Sequence, residues 1–252
     1  MNIVLNKSKA IKVRYRKVEG GKSVDTDHNS NSIKFLSVAS TALANFAAQY
    51  NFQSLAVSLI IMSDEECTLD ITHCKNGEQQ QWVKGTASAV IFVGAVVGQL
   101  TMGFLGDYFQ SLSRNAALTI TLSISAIAAL LSAVVPFGTP STVYTTIITF
   151  RFIIGIGLGG IFPLSATKAS EDSASTSSRT NSAGATFAFI WQLPGLLAPW
   201  LLSLCLTYNN SLTAGMRWRL VLGLGAIPPA LAILCLAAES ILHYQQRVSK
   251  LK

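Results

Sequence analysis

Charged side chains are scarce in this chain of 252 residues: Asp, Glu, Lys and Arg make up only 12% of it, whereas 50% of the residues are hydrophobic. The mean hydropathy is +0.44, and the apolar residues occur in long blocks. Soluble globular domains usually contain about 25% charged residues. The composition therefore excludes a soluble globule and indicates a protein of the lipid bilayer.

The side chains that build most catalytic and metal sites are also few. Only three histidines and four cysteines occur, and neither type shows metal-ligand spacing or a Ser-His-Asp or Cys-His constellation. The glycine-rich run near residue 155 follows no strand, so it is not a dinucleotide-binding fingerprint. We therefore predict no enzyme, no metal and no cofactor. All Asp and Glu residues lie outside the apolar blocks or at their edges.

Six apolar blocks are long enough to cross a bilayer, which takes about 20 residues of helix. None shows the strict alternation of a transmembrane β-strand. The first block is the least regular, because Asn45, Gln49, Asn51 and Gln53 interrupt it. The blocks cover residues 35–62, 82–105, 115–137, 143–167, 183–206 and 218–238. The sequence therefore predicts an all-α, multi-pass integral membrane protein with six spanning helices.

The basic residues predict the orientation. They are concentrated before the first block and after the last, whereas the first long loop, 63–81, is acidic. By the positive-inside rule both termini are cytosolic, and the net charge of +7 reflects topology rather than nucleic-acid binding. We expect a disordered basic arm over 1–34, the six spans over 35–240 and a cytosolic tail over 241–252. Cys67 and Cys74, in the loop predicted to be non-cytosolic, are a candidate disulfide pair.

A polar motif follows the second block, in "GQLTMGFLGDYFQSLSRN" at residues 98–115. Gly94, Gly98 and Gly103 give the helix a small-residue face that suits close helix contact. Asp107 lies where this helix leaves the membrane, and Arg114 follows seven residues later. An aspartate there can bind the N–H groups of a neighbouring helix end, or an arginine.

The fourth block overlaps "RFIIGIGLGGIFPLSATKASE", residues 151–171. Arg151 lies about eight residues into the span, or about 12 Å along a helix, near the middle of the bilayer. A cation there needs partners, which we expect among polar side chains such as Gln99 or Gln192, backbone carbonyls, a missing second half or an anionic ligand. Structural and ligand-binding roles both remain open for it. The following residues let backbones approach closely: Gly155, Gly157, Gly159 and Gly160.

These motifs, followed by "WRLVLGLGAIP" at residues 218–228, resemble the major facilitator superfamily. The pattern is most similar to its phosphate:proton symporter branch, and the resemblance covers about residues 82–240. It implies a twelve-span fold made of two six-span halves. This chain resembles the N-terminal half, which in that fold consists of two inverted repeats of three helices.

The resemblance also implies roles for particular residues. Gln192 is the nearest candidate for a fifth-span glutamine that contacts phosphate in those symporters. Where they carry an acidic residue and a tyrosine after the paired glycines, this chain has Ile161 and Phe162. Asn51 stands near the place of a first-span aspartate. The candidate charge network at the cytosolic end, which would bias the state closed to the inside, comprises Asp107, Arg114, Glu171 and Arg179.

We therefore expect a secondary transporter that moves a small solute by alternating access, with phosphate or an organic anion favoured. A sugar-porter-like carrier of a neutral solute is the first alternative. A truncated, non-transporting half that acts as a membrane partner is the second. Because six spans enclose only half of a central cavity, transport would need a second six-span half or a homodimer.

Overall fold

The computed structural model describes residues 2–69, 78–108, 113–174, 186–208 and 212–251. All regular secondary structure in these ranges is helical, which confirms the all-α prediction. The helices are α1 (Asn2–Leu69), α2 (Glu78–Tyr108), α3 (Arg114–Val134), α4 (Pro140–Ala174), α5 (Gln192–Tyr208), α6 (Ala214–Gly223) and α7 (Ile227–Leu251). A 3₁₀ turn, Leu224–Ala226, joins α6 to α7, and residues 186–190 form a helical segment before α5.

Five helical segments of the described chain are long and apolar enough to cross a membrane. They are Gly85–Met102, Arg114–Val134, Ser141–Ala169, Thr186–Tyr208 and Gly215–Ser249. Each coincides with one of the last five apolar blocks. The first block, 35–62, lies inside α1, which is not one of these five segments.

Polar residues on the inner face of α1 explain its lower hydropathy. Ser37, Thr41, Asn45, Asn51 and Ser54 are all buried, with Asn45, Asn51 and Ser54 fully so. Several of these side chains bond main-chain carbonyls one turn earlier in α1, at distances of 2.9 to 3.2 Å. The polar groups therefore have partners inside the protein, and α1 packs with α4, α5, α6 and α7 as a sixth helix of the bundle.

The N-terminal part of α1 covers the segment that the sequence predicts to be a separate arm. Its backbone is helical from Asn2 onwards, where a disordered arm over residues 1–34 is predicted. No proline precedes Pro136, so no residue in this segment lacks a backbone donor or clashes with the preceding turn. The division of the chain into an arm, a six-span half and a tail stays a prediction.

Glycines set the contact between α2 and α4. A Cβ atom added at Gly94 or Gly98 would collide with main-chain carbonyl oxygens of α4, and one added at Gly155 or Gly159 would collide with those of α2. The two backbones therefore touch directly, as small-residue interfaces in membranes allow. Gly157 instead faces α3, where an added Cβ would meet the Ser125 hydroxyl.

The apolar core lies along α3 and α4, between α1, α2 and α7. Leu118 and Leu122 of α3 pack there with Ile154, Leu158 and Ile161 of α4, and all five are buried. The core fixes the direction in which α4 points its remaining buried side chains. They include three polar ones, Arg151, Ser165 and Lys168.

Arg219 of α6 caps the end of α3. Its guanidinium donates hydrogen bonds to the carbonyl oxygens of Ala133, at 2.6 Å, and Pro136. The guanidinium carbon also lies 4.4 Å from the ring centroids of Phe137 and Trp218. A cation that binds the free carbonyls of a helix C-terminus is favourable, which explains an arginine on the predicted non-cytosolic side.

We expect Arg219→Gln to destabilise the protein by about 1–3 kcal/mol, since charge-assisted bonds to α3 are lost. The measurement is the thermal unfolding midpoint in detergent. Arg217→Gln is the matched control, because the hydrogen bond found for Arg217 ends on Leu212, in the loop before its own helix. Equal losses in the two variants would contradict a capping role for Arg219.

Candidate functional site

A cavity of about 560 Å³ lies between α1 and the segment that leads into α5. Its volume falls in the range of small-molecule sites, about 300–1,000 Å³. Two carboxamides and one hydroxyl face it among apolar side chains. The lining residues are Gln49, Thr186, Phe189, Ile190, Gln192, Leu193 and Leu196. No charged side chain occurs in this described lining.

The polar wall of the cavity is a short chain of carboxamides. Gln192 Nε2 donates to Asn45 Oδ1 at 2.9 Å, and Gln49 Nε2 approaches Gln192 Oε1 at 3.5 Å. Asn45 in turn donates to the carbonyl of Thr41 at 2.9 Å. Gln192 is therefore oriented by α1, while its side chain remains only partly buried at the cavity.

Local sequence explains why Gln192 lies at this point. The helical segment 186–190 ends in a turn at Trp191, and α5 begins at Gln192. Pro194 occupies the first turn of α5, where a missing N–H removes no internal helix bond. A Cβ at Gly195 would crowd the carbonyl oxygen of Phe46, at 2.5 Å. The glycine thus lets α5 approach α1 closely enough for the carboxamides to meet.

This arrangement can bind a small polar solute. A carboxamide offers both donors and an acceptor, so Gln49 and Gln192 can bond either hydroxyl groups or oxyanion oxygens. The apolar residues can contact the remaining surface of a solute. The few polar groups fix its orientation, as in most small-molecule sites.

Arg151 lies outside this lining and is completely buried on α4, with 0% of its surface exposed. Its Nη1 donates to the carbonyl oxygen of Asn51 at 3.0 Å and to Ser54 Oγ at 3.3 Å. Its Nε and Nη2 have no hydrogen-bond partner among the described residues, and neither does Asn51 Oδ1. One edge of the guanidinium is therefore held by α1, and the Nε–Nη2 edge keeps unused donors.

The partners of Arg151 differ from two of those that the sequence suggests. Gln99 is exposed on α2, and Gln192 bonds to α1. The partners found are a backbone carbonyl and another polar side chain, a serine hydroxyl, and both kinds were expected. Phe162 does not line the cavity; its ring lies 6.3 Å from that of Phe52, between centroids, in a stacked arrangement.

A buried ion pair near the other end of α4 is not predicted from the sequence. Lys168 Nζ lies 2.6 Å from Glu239 Oε2, and both side chains are about 6% exposed. By its position in the sequence, Lys168 belongs to a connection on the predicted cytosolic side. In the structure its long aliphatic side chain extends into the bundle, so the ammonium group is buried. The one signal in the sequence is the series of small polar residues along α1, with Ser40 among them, which indicates that polar groups are buried in the bundle.

Most of the predicted gating motif lies outside the side chains that the structure describes. Arg179 falls between the described ranges, and the side chains of Asp107 and Glu171 are not described. Arg114 is exposed at the first residue of α3. Gly103 lies within α2. The predicted Cys67–Cys74 pair is also outside the described side chains, so the network and the disulfide both stay predictions.

The chain is similar in sequence to a known protein family over most of its length. The model of the family described as "Sugar (and other) transporter" matches residues 37–249. Inorganic phosphate transporter PT2 of Toxoplasma gondii is 33% identical over 192 residues, which are 75% of this chain and 32% of the relative. Inorganic phosphate transporter 1-6 of Oryza sativa subsp. japonica is 33% identical over 166 residues, 59% and 30% of the two chains.

Solved structures share the fold. The proton:xylose symporter XylE, a major facilitator superfamily protein bound to 6-bromo-6-deoxy-D-glucose, matches with a TM-score of 0.66 at 18% identity, over 83% of this chain and 45% of that one. The inward-open xylose transporter XylE of E. coli matches with a TM-score of 0.61 at 17% identity, over 82% and 48%. The chain thus spans about a third of the curated relatives and about half of these structures.

Proposed function

Because the chain belongs to the sugar (and other) transporter family of the major facilitator superfamily, we propose that it carries a small solute across a membrane by alternating access. It is an integral membrane protein. The family consists of transporters and not of enzymes. The chain corresponds to the N-terminal half of the superfamily fold, so it would contribute one side of the central cavity.

The cavity beside α1 and α5 carries this proposal. It is large enough for a small solute, and Gln192 presents a carboxamide to it from the first residue of α5, inside the spanning segment Thr186–Tyr208. The bonds to Asn45 and Gln49 hold this carboxamide in place before a solute arrives. Pre-organised polar groups favour binding because less side-chain entropy is lost on association.

The favoured solute is an anion, with inorganic phosphate first. The relatives at 33% identity are named inorganic phosphate transporters, and the amide donors of Gln49 and Gln192 suit phosphate oxygens. Arg151 supplies positive charge in the same half, and its Nε–Nη2 edge lacks partners among the described residues. Two parallel N–H donors of an arginine match an oxyanion well.

A neutral, hydroxylated solute is the second candidate. The described cavity lining contains two carboxamides and a hydroxyl but no charged group, which suits a sugar as well as an oxyanion. The two candidates differ in the solute that is carried and not in how its transport is coupled. In either case a first-span or fourth-span carboxylate is not the proton carrier, because those segments contain none.

The architecture that we propose has further parts. The six helices form two inverted repeats of three, and both termini lie on the cytosolic side. A second six-span half, or a second copy of this chain, closes the cavity opposite α1 and α5. The gating residues at the cytosolic ends, with Asp107 and Glu171 among them, would bias the balance between inward-closed and inward-open states.

Ligand-dependent thermal stabilisation of the purified chain in detergent tests the function. We expect inorganic phosphate to raise the unfolding midpoint, and Gln192→Ala to weaken this response by roughly tenfold in affinity, because one polar contact is lost. Gln99→Ala is the matched control, since Gln99 is exposed on α2 and outside the cavity.

The outcomes separate the candidates. Stabilisation by xylose but not by phosphate, with the same dependence on Gln192, would replace the anion by a neutral solute. Equal responses of Gln192→Ala and Gln99→Ala would contradict the proposed cavity. Absence of any response to both solutes would favour a half that does not bind solute by itself and acts as a membrane partner.

A further inference from the structure

The ammonium group of Lys168 makes a complete set of hydrogen bonds inside the bundle. Its Nζ lies 2.6 Å from Glu239 Oε2, 3.0 Å from Asn115 Oδ1 and 3.3 Å from Ser40 Oγ. A lysine ammonium has three donors, so each donor has one acceptor. Lys168 and Glu239 are buried, at 5% and 4% exposure.

The four side chains come from four different helices. Lys168 belongs to α4 and Glu239 to α7, while Asn115 lies in the first turn of α3 and Ser40 lies in α1. Two of these helices come from the first three predicted spans and two from the last three. A single group therefore links both sets of helices at the end of the bundle that is predicted to be cytosolic.

Because Lys168 and Glu239 are buried, the protein is expected to tolerate the loss of both charges better than the loss of one. Removal of one member of a buried ion pair leaves an uncompensated charge, whereas removal of both members by apolar residues is often neutral. The other contact of Glu239 is weak, since His243 Nε2 of the same helix lies 4.0 Å from Oε1 and its side chain is 52% exposed. Among the described side chains, Lys168 is thus the main cation for Glu239.

We propose that Lys168 is an internal anchor: its bonds to Glu239, Asn115 and Ser40 hold α1, α3, α4 and α7 together at one end of the bundle. This inference does not depend on the identity of the solute. It concerns a cluster that shares no residue with the cavity at Gln192 or with the contacts of Arg151.

Arg151 makes the second polar contact between α4 and α1, and it differs from the anchor in its hydrogen bonding. Arg151 and Lys168 both reach from α4 to α1, and 17 residues of α4 separate them, or about 25 Å of helix. At one level Lys168 uses all of its donors, and at the other the bonds of Arg151 to described residues come from Nη1 alone. The anchor therefore fixes the relation of α1 to α4, while the Arg151 level retains unused donors.

A double-variant comparison tests the anchor in the purified chain. We expect Lys168→Met and Glu239→Leu each to lower the thermal midpoint by roughly 10 °C, because each strands one buried charge. The double variant Lys168→Met/Glu239→Leu should recover most of this loss. Lys34→Met is the matched control, since Lys34 is an exposed lysine of α1, and it should change the midpoint little.

Hydrogen–deuterium exchange distinguishes an anchor from general destabilisation. In Lys168→Met, exchange should rise in segments 36–46, 114–120 and 236–243, which meet at the cluster, and remain at the wild-type rate in segment 85–100 of α2. Should a single variant fail to fold, the folded double variant is compared with wild type in the same way.

Three results would overturn the proposal. One is a single variant as stable as wild type, and another is a double variant whose loss equals the sum of the single losses. The third is an increase of exchange in α2 equal to that in the three cluster segments. Recovery in the double variant together with local exchange in the single variant would support it.

Discussion

Replacing Gly159 by leucine is expected to prevent the close packing of α2 against α4. A Cβ atom at this position would collide with the carbonyl oxygen of Ala95 and crowd its Cα. Because the obstacle is backbone rather than the end of a flexible side chain, the helices must separate along their length. Overpacking in cores usually costs about 1–3 kcal/mol, and we expect the upper end or more here. The thermal midpoint and the yield of monodisperse protein measure the effect.

Gly85→Leu is the matched control for this prediction. Gly85 also lies in α2, but no atom lies within 4 Å of a Cβ built on it. The leucine should therefore be accommodated, and the gain in helix propensity over glycine should offset other small effects. If Gly159→Leu had the same thermal midpoint as Gly85→Leu, α2 and α4 would not pack through their glycines.

The sequence predicts the elements of this fold well because length and hydropathy determine them. Each of the last five apolar blocks becomes a spanning helical segment, and the motifs from Arg151 onwards identify the family that the comparisons show. A block of about 20 apolar residues has few alternatives to a helix in a bilayer, since every backbone group needs an internal partner.

The contacts within the site are less predictable because they depend on which helices become neighbours. Arg151 is recognisable as a buried cation from its depth in the span, but its bonds to Asn51 and Ser54 cross 100 and 97 residues of sequence. The burial of Lys168 cannot be predicted from the sequence for the same reason. Its position at a span end suggests a loop cation, and only the packing of α4 against α7 brings Glu239 to it.

The polar residues of the first block show how one observation supports two interpretations. Asn45 and Asn51 weaken the case for a spanning helix when hydropathy is averaged. In the structure they face inwards, where Asn45 accepts from Gln192 and Asn51 bonds Gly225. Periodic placement of polar residues on one face, rather than their number, distinguishes a helix at a solute cavity from a helix in water.

Arg151→Ala and Arg151→Gln are expected to weaken the stabilisation by phosphate strongly. Arg151→Lys should retain part of it, because lysine keeps the charge but not the planar pair of donors. A charge-assisted hydrogen bond is worth about 1.5–3 kcal/mol, so the neutral variants should bind at least roughly tenfold more weakly. The measurement is the phosphate-dependent shift of the unfolding midpoint, with size-exclusion chromatography as the check of folding.

Ser54→Ala is the control that separates the two roles of Arg151. It removes one acceptor of Nη1 at 3.3 Å and leaves the charge and the Nε–Nη2 edge in place. If Arg151 binds an anion, Ser54→Ala should lower basal stability slightly and leave the response to phosphate unchanged. If Arg151 is only a donor to α1, all substitutions should lower basal stability and none should change that response.

A well-folded Arg151→Gln protein with the full wild-type response to phosphate would end the anion-site hypothesis. The glutamine amide could then replace Nη1 as a donor to the Asn51 carbonyl, and the cation would serve the scaffold alone. A burial cost of several kcal/mol for an arginine in the membrane interior argues against that outcome. One carbonyl and one hydroxyl are few partners for a fully buried guanidinium with five donors, and an oxyanion at the Nε–Nη2 edge would supply the missing acceptors.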